Sequence, residues 1–201
     1  MKATAASSSR PYRMGARAHA TAETRTRILR AVLDLHIERF HDQITLEDVA
    51  ERAGVTVQTV LRHFGSRDAL VTAAAEQATS DVLAQRNTAP VGDVEGAVEN
   101  LIDHYEEWGR SSLRLLVQEE QVPQLRAVAD RGRALHYAWV DRTFGPLLAD
   151  TSDALLRSKL IALTDVFTWK LLRLDLGLDR TETGSALAGM IGAVVGDRRK
   201  S

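Results

Sequence analysis

Residues 44–65 read ITLEDVAERAGVTVQTVLRHFG, and the fold turns on how this stretch is punctuated. The Thr45 hydroxyl is placed to accept the backbone N–H of Asp48, Asp48 to reach back, and Ile44 to pack on Val49. That is a variant capping box with a hydrophobic staple. The spacing predicts a short helix from Leu46 to Ala53, stopped by Gly54, since glycine enters the left-handed conformation at no steric cost. Thr56 repeats the cap, with Val55 and Val60 as a second staple, and predicts another short helix to about Phe64. Gly65-Ser66 ends it and caps the next. Two short helices joined at a glycine form a helix-turn-helix, the unit that sets its second helix in the DNA major groove. Val49, Ala50, Ala53, Val55 and Val60 supply the small, apolar interior that lets the two helices cross closely; an ordinary helical hairpin shares this pattern.

Working outward, Ile28, Ala31, Val32 and Leu35 fall at i, i+3, i+4 and i+7, the apolar stripe of a helix from Thr24 to about Phe40. Residues 1–20 lack any apolar period and are read as a flexible basic arm carrying Arg10, Arg13 and Arg17. Beyond Ser66 the chain reads as helix throughout, about nine helices in all. Breaks are expected at Asn87–Gly92, near Gly109–Ser112, at Pro123, from Gly145-Pro146 to Ser152, and at Gly177–Thr181. No run of strand alternation appears. The expected architecture is all-α: the arm, a three-helix helix-turn-helix domain over 21–68, and a helical ligand-binding and dimerisation domain over 69–201.

The composition agrees. With 201 residues, 44% of them hydrophobic, the chain can bury a core without staples, and zero cysteines exclude thiol catalysis, disulfides and thiolate zinc sites. No stretch approaches the ~18 apolar residues of a membrane span, so a soluble, cytoplasmic protein is expected. The net charge is −1 but uneven: residues 1–68 hold 11 Lys/Arg against 8 Asp/Glu, and residues 69–201 hold 15 against 19. A weakly basic first third suits a phosphate backbone.

The stretches TRTRIL (24–29), ITLEDVAERAGVT (44–56) and TVLRHFGSRDAL (59–70) resemble the DNA-binding domain of TetR-type bacterial transcription regulators. The resemblance covers residues 24 to about 75; beyond that it extends to helix number and length alone. It implies a homodimer, each subunit placing the helix from Thr56 to Phe64 in the major groove of a palindromic double-stranded operator. At about 100° per residue, Val60 and Phe64 share the inner face, Gln58, Thr59, Arg62 and His63 point outward, and Val57 and Leu61 lie on the border. Gln58 is the foremost base reader, because its amide can donate and accept together at the adenine edge. Val57 offers a thymine methyl only apolar contact where the family often carries a polar reader. Thr56, Thr59, Arg62, His63 and Arg67 suit phosphates, and Thr45 adds a contact at its helix N-terminus. Leu61 stands where the family usually has tyrosine, which removes a phosphate hydrogen bond.

In the second domain, Val94, Val98, Leu101, Tyr105 and Trp108 share one helical face, as do Leu125, Val128, Leu135 and Trp139, with Phe167 and Leu171 expected to face them. The resemblance implies an effector pocket among such helices, for which His104, Tyr105, Trp108, Trp139 and Phe167 are candidates and Tyr137 and Arg142 weaker ones. It also implies a dimer interface from the last two helices, with Trp169, Leu172, Leu187, Met190, Ile191 and Val194 as its apolar surface. Repression relieved by a ligand is the family's usual mode, and a small apolar or aromatic effector is expected here.

Enzymatic signals are few: no Gly-x-Ser-x-Gly, Walker loop, dinucleotide fingerprint or His-Glu-x-x-His occurs. His104 with Glu107, and His36 with His41, could be read as metal or acid–base pairs, but solvated helix residues account for them. No metal or cofactor is expected. The alternative reading is a helical ligand-carrying or catalytic protein with a vestigial helix-turn-helix.

Overall fold

The structure is a computed structural model that describes residues 9–149 and 153–196. Among them every regular element is helical: α1 Ser9–Glu38, a 3₁₀ turn His41–Gln43, α2 Leu46–Ala53, α3 Val57–Phe64, α4 Arg67–Arg86, α5 Val94–Gln118, α6 Pro123–Thr143, α7 Gly145–Ala149, α8 Leu156–Leu163, α9 Val166–Lys170 and α10 Arg180–Gly196. A π turn, Leu171–Asp175, continues α9. Contacts fall into two compact units divided between Ala74 and Ala75, inside α4. No helix among the described residues is long and apolar enough to cross a membrane.

In the first unit the punctuation of residues 44–65 does what the side chains dictate. The Thr45 hydroxyl accepts from Asp48 N at 3.1 Å, and Asp48 Oδ2 accepts from Thr45 N at 2.9 Å. Gly54 closes α2 at φ 66°, ψ 41°, and the following Val55 N–H reaches the Ala50 carbonyl at 2.9 Å. Thr56 caps α3 through Thr59 N. The predicted stripe Ile28, Ala31, Val32, Leu35 is buried with Val49, Ala50, Ala53, Val60 and Leu70 in one core. Two ion pairs fasten α1 to α2: Arg39 to Asp48 at 2.7 Å, and Arg52 to both Glu38 oxygens at 3.0 and 2.7 Å.

The first helix is longer than its apolar stripe. It starts at Ser9, so the expected arm over 1–20 is helical from there on, while residues 1–8 lie outside the described residues. The reason is propensity: the run GARAHATAE (15–23) is rich in alanine and holds helix without an apolar face to bury.

The second unit departs further from its sequence reading. α5 runs unbroken through Gly109–Ser112. Gly109 is there for proximity, since a Cβ on it would stand 2.5 Å from Trp169 Cζ3. The helix expected from Asp153 onward is interrupted: α8 ends at Leu163 with Thr164 as its C-cap, and Asp165, in extended conformation, caps α9 by accepting Phe167 N at 2.9 Å. That interruption resets the helical phase. In one continuous helix Phe167 and Leu171 would lie on the face of Leu156 and Leu160; with the new start, Val166 and Trp169 turn inward, and Phe167 and Leu171 are 58% and 51% exposed. The core of this unit joins Leu101, Ile102, Tyr105, Trp139, Val140, Phe144, Leu160, Trp169, Leu187 and Ile191.

Candidate functional site

The first candidate surface is built on α3. Val60 is buried, which anchors the helix and turns its far side out. Gln58, Leu61 and Arg62 are exposed, while Val57, Thr59, His63 and Phe64 are half-buried. Gln58 and Arg62 make no side-chain hydrogen bond among the described residues, so an amide and a guanidinium stand one helical turn apart with their donors available. Thr56 and Thr59 hydroxyls lie 3.0 Å apart and share the cap. Thr45 opens α2 in the same way, its hydroxyl donating to Asp48 at 2.8 Å; these bonds, with Arg39, hold the Asp48 carboxyl down at about 2. Arg25 lies over the Phe64 ring at 4.8 Å.

Arg67 is oriented differently from its expected role. Its guanidinium turns into its own unit, donating from Nε to the Ile44 carbonyl at 3.1 Å and from Nη2 to the His41 carbonyl, with Nη1 3.3 Å from His41 Nε2. His36 Nε2 in turn lies 3.3 Å from His41 Nδ1. The pair His36–His41 is thus brought together, but as part of a bonded chain ending on Arg67. Burial, with Arg67 adding to it, pushes both histidines below their ordinary value, so the chain holds them neutral.

The second candidate is a polar centre inside the other unit. Arg86, the last residue of α4, is 6% exposed. Its Nη2 donates to His136 Nδ1 at 2.9 Å, and its Cζ lies 4.2 Å from the Trp139 ring and 5.7 Å from the Tyr105 ring. Because guanidinium can only donate, His136 Nδ1 accepts, which puts the histidine proton on Nε2, facing the Ile161 carbonyl at 3.3 Å. Burial and then the neighbouring Arg86 push His136 down to about 4. His104, buried and repelled by Arg86 and His136, is pushed well below its ordinary value. Burial drives the Tyr105 hydroxyl up, and it donates to the Thr164 carbonyl at 2.8 Å. Arg142 donates to the carbonyls of Arg86 and Ala89 at 2.9 and 3.1 Å, satisfying the end of α4. Four buried nitrogens here have no hydrogen-bond partner among the described residues: Arg86 Nη1, His104 Nδ1, Trp139 Nε1 and Trp169 Nε1.

Of the expected effector-site residues, the structure brings His104, Tyr105 and Trp139 to this centre and leaves Trp108 half-buried. Phe167 and Tyr137 are exposed and stand apart from it, Phe167 because of the phase reset at Asp165. Arg86 and His136 are the residues that sequence reasoning missed. For His136 a signal exists, since His136, Trp139, Val140 and Thr143 recur at i, i+3, i+4 and i+7 and are all buried; for Arg86 none does. The residues expected at the dimer surface lie as follows. Trp169, Leu187 and Ile191 are at most 2% exposed within the core of their own unit, and Leu172, Met190 and Val194 pack partly against it. Apolar side chains on a helix that already has a core to join turn toward that core.

Residues 28–74 match the family model described as bacterial regulatory proteins, tetR family. No curated protein matches the chain significantly. Among solved structures, a transcriptional regulator from Rhodococcus shares 19% identity at a TM-score of 0.67, covering 86% of this chain and 96% of its own. A Rhodococcus protein assigned to the TetR family shares 23% identity at a TM-score of 0.66, covering 86% and 99%. The multidrug binding protein EbrR, solved with imidazole, shares 21% identity at a TM-score of 0.54, covering 83% and 89%. At these identities the likeness is one of fold.

Proposed function

We propose that this chain is a TetR-family regulator whose DNA-binding domain holds residues 28–74, and that it acts as a dimeric repressor released from a palindromic operator by a small-molecule effector. The observation that carries the reading is α3 itself: a capped helix anchored by buried Val60, with Gln58 and Arg62 exposed on its outer side. Gln58 reads an adenine edge, and Val57 and Leu61 give apolar contact with thymine methyls. Thr45, Thr56, Thr59, Arg62 and His63 hold phosphates, while Arg67 holds the start of α4 against the His41–Ile44 turn and acts on DNA through that support. On this reading the chain works in the cytoplasm by binding, without catalysis.

For the dimer, the exposed Phe167 and Leu171 and the open glycines Gly189 and Gly192 of α10 replace the buried residues as the surface a second subunit meets. The likeness in fold to a multidrug binding protein supports an effector in the second unit. Selection of bound DNA from a random pool tests the reading. A single palindromic consensus is expected, with Gln58→Ala losing about 1 to 3 kcal/mol on it and little on unrelated DNA, and Arg62→Ala lowering the salt slope by about one. Recovery of unrelated sequences with no consensus would defeat it.

A further inference from the structure

An arginine buried without a carboxylate is an unfinished arrangement. Arg86 is 6% exposed, its Nη2 hydrogen bond goes to neutral His136, the neutral Tyr105 hydroxyl stands beside it, and no carboxylate among the described residues pairs with it. Its remaining face carries the unpartnered Nη1, and the Trp139 ring on which it lies carries the unpartnered Nε1. The surrounding core is aromatic and aliphatic: Leu101, Ile102, Tyr105, Val140, Phe144 and Leu160 share it. A buried cation with vacant donors is costly until an anion meets it, because both desolvation and the missing bonds fall on the charged group.

We propose that the effector of this protein is an apolar monocarboxylate whose carboxylate docks between Arg86 Nη1 and Trp139 Nε1. The proposal deepens the regulator reading and rests on it for the word effector. One guanidinium and two neutral histidines set the charge at a single negative unit; a dianion would bring an uncompensated charge into the same core. Two donors are available for the two carboxylate oxygens, and the apolar surroundings suit an aryl or alkyl body. His104 Nδ1, in the same core, is also unpartnered.

Isothermal titration and scanning calorimetry of the full chain decide the matter, with benzoate and octanoate each set against its neutral amide. Both carboxylates should raise the melting temperature, by mass action on the folded state, and the amides should leave it unchanged. Arg86→Met should weaken carboxylate binding about ten- to hundredfold, as loss of a charge-assisted bond does, while the melting temperature without ligand holds or rises, because an uncompensated buried charge is gone. Trp139→Phe keeps the ring, loses the donor and should weaken binding several-fold. Equal response to acid and amide, no response to either acid, or an Arg86→Met chain that still answers to carboxylate would each overturn the proposal. Should Arg86→Met fail to fold, the difference between acid and amide on the unaltered chain, together with Trp139→Phe, keeps the proposal open to refutation. Operator binding without ligand is measured separately. A chain that binds selected DNA but ignores carboxylates defeats this inference alone; one that binds carboxylates through Arg86 but no DNA defeats the regulator reading alone.

Discussion

Helix α4 begins and ends on an arginine, and the two have opposite fates. Arg67, in the first unit, gives its donors to the Ile44 and His41 carbonyls and to a histidine ring. Arg86, in the second, is more deeply buried yet keeps a nitrogen without a partner. The contrast extends to the units. Among the described residues, every buried side-chain atom that lacks a hydrogen bond lies in the second unit: on Gln85, Arg86, Asn100, His104, Trp139, Thr143 and Trp169. Native proteins leave few such atoms, and the carboxylate proposal draws on their concentration in one core. The first unit has its buried polar side chains bonded and leaves Gln58 and Arg62 exposed; the second keeps unpartnered polar atoms inside.

The largest effect expected from breaking this contrast is in the first unit. Ala50 is buried at the crossing of α2 with its neighbours, and Ala50→Lys should cost about 4 kcal/mol by forcing a charge into a core with no partner for it. Urea denaturation measures it, and a loss under about 1 kcal/mol would show the helix crossing to be loose.

Acid should separate the units next. His136 titrates near 4 in the folded chain against 6.5 ordinarily, so its contribution is complete above about pH 6.5 and is lost as the unfolded chain gains the proton on the way down. About 2 kcal/mol should go between about pH 6.5 and about pH 5. His36 and His41 shift in the same direction. Replacing His136 by Leu should reduce the loss seen in urea denaturation more than replacing His36 by Leu does; the reverse order would put the acid-sensitive core in the first unit.

Arg67→Ala should cost about 1 to 2 kcal/mol, since two carbonyls lose their donor, and should leave the salt slope of DNA binding where it was. A slope lowered by about one would return Arg67 to the phosphate contacts. The smallest effect belongs to the caps: Thr45→Ala should cost about 1 kcal/mol and Thr45→Ser very little. An equal cost for both would mean that the methyl group, and not the hydroxyl, supports α2.

How far each unit was legible in the sequence follows the same division. The bounds of α2 and α3, their threonine caps and the Gly54 stop could all be read from residues 44–65, because each is decided within a few residues by a hydroxyl or a missing Cβ. The face of α3 followed from Val60 and Phe64. In the second unit the decisive events are not local. Gly109 reads as a helix stop yet sits inside α5, because a tryptophan far along the chain, Trp169, lies against it. The reset at Asp165 exchanged Phe167 for Trp169 as the inward residue, and no periodic count survives an unseen change of phase. Arg86 ends a helix among polar residues, where a charged side chain ordinarily faces water, and only the assembled core shows that it does not.

The placing of the tryptophans gives the chain an optical asymmetry. All three, Trp108, Trp139 and Trp169, fall after Ala75, so intrinsic indole emission reports the second unit and is silent on the helix-turn-helix. Each indole is lodged differently: Trp139 against a guanidinium and stacked near His136, Trp169 against Gly109, and Trp108 half in water. A spectrum of the unaltered protein therefore carries three separable environments, and single Trp→Phe replacements would assign them. The same emission, followed beside helical circular dichroism during unfolding, distinguishes loss of the second unit's core from loss of the first unit with no label attached.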